Sequence, residues 1–267
     1  MNEQTVFQRY EIKYLITAGQ RERIRTAMTP HMLPDPHGRS TVCSVYYDTP
    51  SHLLIRRSLE GGRYREKLRL RSYGVPEAGD EVFVELKKKF ESVVYKRRIA
   101  MTEFVAEQYL AGAGEGRDCQ IGHEIGYVLT HYAPLQPAVL LSTEREAFFG
   151  REDPGFRLTF DENILWRDCD LSLSMGVYGA PLLPAGQVLM ELKTGGAIPL
   201  WMTELLTQNH IYHTSFSKYG SAYREMLAQK HNERNPPCLN PSFRGCLTAA
   251  PPPRFQCKPF CSASERP

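Results

Sequence analysis

The sequence predicts an α+β fold, an antiparallel β-barrel flanked by helices, and three observations point there. At least seven segments alternate polar and apolar residues with the period of two that a strand imposes. Most of these segments follow one another across short turn-forming connections of hairpin type. Between and after them lie stretches with helical spacing and recognisable caps, which a curled sheet would carry on its outside.

The elements come in order. Val6–Ile16 is a strand, and Thr17-Ala-Gly-Gln20 is a capping box that starts a helix running to about Met28. Val42–Tyr47 is rich in β-formers and stops at Asp48-Thr49-Pro50; Ser51 then caps a short helix through Leu59, closed by Gly61-Gly62. Arg63–Tyr73, Glu81–Phe90 and Val93–Ala100 are three strands, the last two joined by the tight Glu91-Ser92 connection. Helices are expected over Glu103–Leu110 and Ile121–His131, and strands over Ala138–Phe149, Phe156–Phe160 and Val188–Lys193. Helices near Leu200–Gln208 and Ser217–Gln229 complete the body.

At 267 residues the chain is long enough for one domain, placed at 1–231, with a sizeable core. From about Asn232 it is rich in Pro, Ser and Arg without a hydrophobic period, and 232–267 is expected to be a disordered tail. That tail holds Cys238, Cys246, Cys257 and Cys261, whose spacings match no familiar zinc pair. The net charge of +3 balances 33 cations against 30 anions, so no global field points to nucleic acid. The N-terminus has no apolar leader, and no run reaches the roughly 18 apolar residues of a membrane span. Cys43, Cys119 and Cys169 show no pairing pattern, as in a reducing compartment, and a cytoplasmic protein without membrane insertion is expected.

The charged faces of the strands carry the functional argument. Arg9, Glu11 and Lys13 share one face; Lys67, Arg69 and Arg71 share another; Glu85, Lys87 and Lys89 a third. Lys96 goes with Arg98, Arg157 with Asp161, Glu191 with Lys193, and Arg145 lies mid-strand. A merely wet face would mix Ser, Thr, Gln, Glu and Lys, whereas this set is dominated by Arg and Lys. If the sheet closes, these faces line a lumen, and such a concentration of like charge is costly unless an anion neutralises it. A linear polyanion would do so, with Arg giving paired donors to phosphate and Lys point charges. Glu11, Glu85 and Glu191 each stand two residues before a lysine. They are ion-pair partners or, with phosphate oxygens, ligands of a hard divalent cation.

The motifs RYEIKY (9–14), SVYYDT (44–49), KLRLRSY (67–73), ELKKK (85–89), KRR (96–98), EREAF (144–148), RLTFD (157–161), MELK (190–193) and FSKY (216–219) occur in that order. Together they resemble the catalytic domain of the vacuolar transporter chaperone (VTC) polyphosphate polymerases, in its compact prokaryotic form, over roughly Phe7–Leu227. That domain belongs to the triphosphate tunnel superfamily, related to the CYTH group of adenylyl cyclases and thiamine triphosphatases.

The resemblance implies ATP-dependent polyphosphate synthesis: the γ-phosphoryl group of ATP passes to a growing chain inside the tunnel, with Mn²⁺ or Mg²⁺ as cofactor. It implies phosphate binding by Lys13, Arg69, Arg71, Lys87, Lys96, Arg145, Arg157 and Lys218, with Lys87, Arg145 and Lys218 at the reacting group. Ser217 would donate beside Lys218, and Glu191 would hold the metal. Arg9, Lys67, Arg98 and Lys193 join the phosphate-binding set by their place on the charged faces, and Glu85 and Glu11 join Glu191 as metal candidates. Thr143 and Ser215 stand where eukaryotic relatives tend to carry Tyr and Lys. The chain is expected to act without the N-terminal SPX domain and membrane helices of those relatives. ATP and polyphosphate, or another triphosphate, are the expected partners. A triphosphate hydrolase of the same fold and a non-catalytic polyphosphate-binding module remain the alternatives, and the three glutamates favour the enzymes. The absence of a Walker A sequence agrees with a tunnel rather than a P-loop.

Overall fold

A computed structural model of the chain describes residues 10–91, 93–114 and 116–234, with side chains through residue 231. Its elements are β1 (Tyr10–Thr17), α1 (Ala18–Met28), β2 (Met32–Asp48), α2 (Leu53–Glu60), β3 (Tyr64–Tyr73), β4 (Glu81–Phe90), β5 (Val93–Thr102), α3 (Glu103–Leu110), α4 (Gln120–His131), β6 (Gln136–Gly150), β7 (Arg157–Arg167), β8 (Ala180–Pro181), β9 (Gln187–Thr194), α5 (Leu200–Gln208), β10 (His213–Thr214) and α6 (Lys218–Arg234). The expected tail from 235 onward, with its four cysteines, lies outside the described residues, and α6 runs past the expected boundary at 231 to Arg234.

Local sequence accounts for most element ends. The Thr17 hydroxyl accepts from the Gln20 amide and the Gln20 side chain accepts from the Thr17 amide, the reciprocal pair expected of that spacing. The start of α2 differs from expectation. Ser51 bonds Thr49 rather than the helix, and the Asp48 carboxylate caps α2 instead by accepting from the Leu54 and Ile55 amides at 2.8 and 2.9 Å. The helix ends at Gly61, whose φ of +81° suits a residue without a Cβ.

Strand β2 begins ten residues before the expected Val42, at Met32, across Pro34, Pro36 and Gly38. Prolines fit there because that stretch pairs with β6 alone, while the β3 ladder starts only at Val42. A register shift between Pro34 and Arg39 absorbs the irregularity. Strand β7 likewise outruns its expected end at Phe160, because an irregular register opposite Ser142–Glu144 lets it bend and continue to Arg167.

The strands form one ten-stranded sheet, paired antiparallel throughout, in the order β10-β1-β9-β7-β6-β2-β3-β4-β5 with β8 added to β7. The expected closed barrel is not formed: among the described residues no ladder joins the two ends of this order. The sheet is strongly curled all the same. In a flat sheet β1 and β4, six steps apart in the order, would be about 29 Å apart at ~4.8 Å per step. Yet Lys87 of β4 reaches Glu11 of β1 at 2.8 Å. The result is an open trough whose seam is bridged by side chains.

Two apolar clusters lie outside the curve. Cys43, Val45, Leu68, Leu70, Val82, Val84 and Leu86 pack under α3 and α4. Tyr14, Ile16, Leu158, Phe160, Met190 and Leu192 pack under α1 and α5. Each fully buried Leu or Ile contributes about 1.5–3 kcal/mol, so these outer layers hold the curl. A third cluster brings Tyr46, Leu141 and Leu189 together with Ile55 of α2 and Tyr219, Tyr223 and Met226 of α6. By strand parity Tyr46, Leu141 and Leu189 point into the trough, so α6 plugs one end with apolar contacts. Cys43 and Cys119 are free, but Cys169 is disulfide-bonded, against the expectation of unpaired cysteines in the body. No helix among the described residues is long and apolar enough to cross a membrane.

Candidate functional site

Cross-strand register carries the charged faces into one surface. Arg69 lies opposite Glu85 and Glu85 opposite Arg98; Lys67 lies opposite Lys87 and Lys87 opposite Lys96. On the other wall Lys13 pairs Glu191, Glu11 pairs Lys193, Lys193 pairs Arg157, and Asp161 pairs Arg145. Directly paired residues share a face, so these residues all line the inside of the trough. The grooves beside α4, lined by Lys88, His123, Glu124 and Tyr127, lie on the outer face and hold none of them.

Two buried carboxylates organise the cations. The Glu85 side chain is only 1% exposed and is met by Arg69 at 2.6 Å, Lys96 at 2.7 Å, Arg98 at 3.5 Å and Arg71 at 3.8 Å. Burial alone would raise its pKa, but these cations outweigh burial and hold it at about 2. Asp161, with no exposed surface, takes both arms of Arg145 at 2.6 and 2.7 Å and also pairs Lys218. Burial opposes its charge, and Lys218 and Arg145 together keep it well below the usual carboxylate range. Burial in turn lowers Lys218 from the ordinary lysine value.

The plug helix supplies the floor. Lys67 donates to the Ser217 hydroxyl at 3.1 Å, and Lys13 donates to the Phe216 carbonyl at 2.9 Å. Ser217 also accepts from the Gly220 amide, which caps α6 and aims Lys218 inward. Tyr46 and Ser44 extend the site along β2. Arg69 donates to the Tyr46 hydroxyl at 3.1 Å and Arg71 to Ser44 at the same distance. Burial alone would raise the Tyr46 hydroxyl, yet Arg69, Arg71 and Lys67 outweigh it and bring it down to about 7.

The sequence-derived phosphate-binding candidates thus fall into three groups. Lys13, Lys67, Arg69, Arg71, Lys87, Lys96, Arg98, Arg145, Ser217 and Lys218 meet in the trough through the contacts above, and Lys193 joins them beside Glu191 at 3.8 Å. Arg157 sits at the rim, paired to Asp35 at 2.5 Å. Arg9 lies outside the described residues. The three glutamates do not come together: among the described residues no group of three or more His, Cys, Asp or Glu forms a metal cage. Glu85 is occupied by cations and Glu11 by Lys87, whereas Glu191, its side chain 10% exposed, has among the described residues only Lys193 at ion-pair range. One carboxylate with a single ion-pair partner beside this cluster of cations fits Mn²⁺ or Mg²⁺, which a protein holds by one or two carboxylates plus phosphate oxygens.

Asp161, Tyr46 and Ser44 join the site beyond the residues expected from the sequence. Asp161 shares a face with Arg157, and Ser44 and Tyr46 alternate within SVYYDT, so strand parity is the signal that points to them.

A model of the VTC domain family matches residues 8–227. The vacuolar transporter chaperone complex subunit 4 of Trypanosoma brucei brucei is 26% identical in an alignment that takes in 80% of this chain and 34% of that protein, so the chain spans about a third of its relative. Among solved structures, a Bacillus halodurans protein provisionally named an adenylate cyclase superposes with a TM-score of 0.51 at 12% identity, over 79% of this chain and 94% of that one. The likeness is one of fold, an antiparallel, sheet-rich α+β architecture resembling the triphosphate tunnel (CYTH-like) proteins. With its family model matched from residue 8 to residue 227, the chain belongs to the VTC domain family.

Proposed function

We propose that the chain synthesises polyphosphate by ATP-dependent, metal-assisted phosphoryl transfer in its basic trough. The observation that supports this most is Glu85, one buried carboxylate enclosed by four cations on a face that carries further lysines and arginines around it. Cations outnumber carboxylates there, and such an excess in a part-buried cleft calls for a polyanion. Phosphoryl transfer asks little covalent chemistry of a protein; it depends on alignment and on neutralising charge.

In this reading Arg69, Arg71, Lys96 and Arg98 hold the non-reacting phosphates, with Glu85 fixing their side chains. Lys87, Arg145 and Lys218 contact the transferring group, and Asp161 orients the last two. Lys13, Lys67, Lys193, Ser217 and, at the rim, Arg157 bind the chain on either side. Glu191 would hold Mn²⁺ or Mg²⁺, which when bound neutralises charge on the phosphate oxygens. Glu11, paired to Lys87, serves to position that lysine. ATP and polyphosphate are the partners, and because the reaction consumes ATP the reading places the chain in the cytoplasm.

Incubation with ATP and Mn²⁺, followed by separation of long-chain polyphosphate from free phosphate, tests the proposal. Long-chain product is expected. Free phosphate alone would replace the polymerase with a triphosphate hydrolase, and tight tripolyphosphate binding without turnover would leave a binding module.

A further inference from the structure

Toward the end of the trough opposite the plug, the charged face gives way to aromatic rings. Tyr73 follows Lys67, Arg69 and Arg71 at two-residue intervals along β3 and so continues their face. Register places Phe83 opposite Arg71, and the Tyr73 and Phe83 rings meet edge to face with centroids 5.9 Å apart. The Arg98 guanidinium lies 3.4 Å from the Phe83 centroid and 5.5 Å from that of Tyr73. Arg98 thereby covers Phe83, and this pair is explained by holding an arginine in place. Tyr73 is not explained that way, since 51% of its surface remains exposed.

An exposed ring of this size stands about 7 Å along the strand from Arg71, at ~3.3 Å per residue. That is the place where the non-phosphate end of a nucleotide would emerge if its triphosphate lay against Arg69 and Arg71. We propose that Tyr73, backed by Phe83 and Arg98, is a stacking platform for the base of a nucleoside triphosphate. The inference rests on the phosphate-binding reading above and adds the part of the ligand that the cations do not recognise. It also fixes orientation, with the base at the lip and the γ-phosphate inward. Every base has a π-face, so the platform accepts ATP and GTP alike, while tripolyphosphate makes no use of it.

Calorimetric affinities for ATP, GTP and tripolyphosphate, measured with divalent metal chelated so that nothing turns over, test the platform. Tyr73→Ala is expected to weaken both nucleotides roughly five- to fiftyfold and to leave tripolyphosphate within about twofold. Retained tripolyphosphate binding also shows that the variant is folded, and Tyr73→Trp is expected to restore the nucleotides. Should Tyr73→Ala affect all three ligands equally, or none, the platform is refuted. The phosphate reading then stands on its own test, in which Arg71→Ala weakens all three. If Arg71→Ala leaves all three unchanged, that reading fails and the platform with it.

Discussion

Burial pushes the Lys67 ammonium down to about 8, with Lys13, Lys87 and Arg69 adding to the effect and Tyr46 opposing it. A phosphate binds the protonated form, so the free protein loses this contact as pH rises through about 8, well before an ordinary lysine would. Affinity for tripolyphosphate is therefore expected to weaken between pH 7 and 9.5, by up to about tenfold for one charge-assisted bond, and binding near pH 8 to take up protons. Lys67→Arg, which does not titrate in that range, should make the profile shallower, leaving the part due to Lys218, which burial also brings down to about 8; calorimetry in buffers of different ionisation enthalpy measures both effects. At Glu191 the expectation concerns turnover. Glu191→Gln removes one negative oxygen with almost no change in volume, so metal-dependent activity should collapse while fold and tripolyphosphate affinity survive. Unchanged metal-dependent activity would leave Glu191 as no more than a partner of Lys193.

Helices α2 and α6, packed in one apolar cluster, share a polar anchor at the end of β2. Asp48 is completely buried, accepts from two α2 amides and also accepts from the Tyr219 hydroxyl of α6 at 2.9 Å. Asp48→Ala removes the cap of one helix and strands the hydroxyl of the other, which should cost about 2–4 kcal/mol. Denaturant unfolding followed by circular dichroism measures that loss. Tyr219→Phe, which keeps the stacking on Tyr46 at 4.6 Å, should cost about 1 kcal/mol. Because α6 also presents Ser217 and Lys218, the Asp48 variant should lose tripolyphosphate affinity as well; equal stability of Asp48→Ala and the wild type would remove Asp48 from this role.

Across the whole molecule the site exists because the sheet curls. Lys87 to Glu11, Lys67 to Ser217 and Lys218 to Asp161 are contacts between elements far apart in sequence, and each spans the trough. A confined site makes charges unequal in effect. Arg71 is part of the trough, whereas Lys230 is exposed near the far end of α6. Alanine at either position removes one positive charge, yet Arg71→Ala should weaken tripolyphosphate binding tenfold to a hundredfold at physiological salt and Lys230→Ala hardly at all. Equal, small losses would mean that the basic residues do not form a site.

Period-two alternation alone put Lys67, Arg69, Arg71, Lys87, Lys96 and Arg98 on common faces, because a strand turns each side chain by half a revolution whatever its surroundings. The capping box at Thr17 was equally legible, since its partners are three residues apart. Tertiary structure decided what depends on distant partners. It surrounded Glu85 with cations, paired Glu11 with Lys87 and left Glu191 the freest of the three metal candidates. It brought Asp161 to Lys218 across the trough, and it gave the cap of α2 to Asp48 instead of Ser51. Among the described residues it also left the sheet open where a barrel was expected, because closure depends on which strands meet at the seam, and strand alternation carries no information about that.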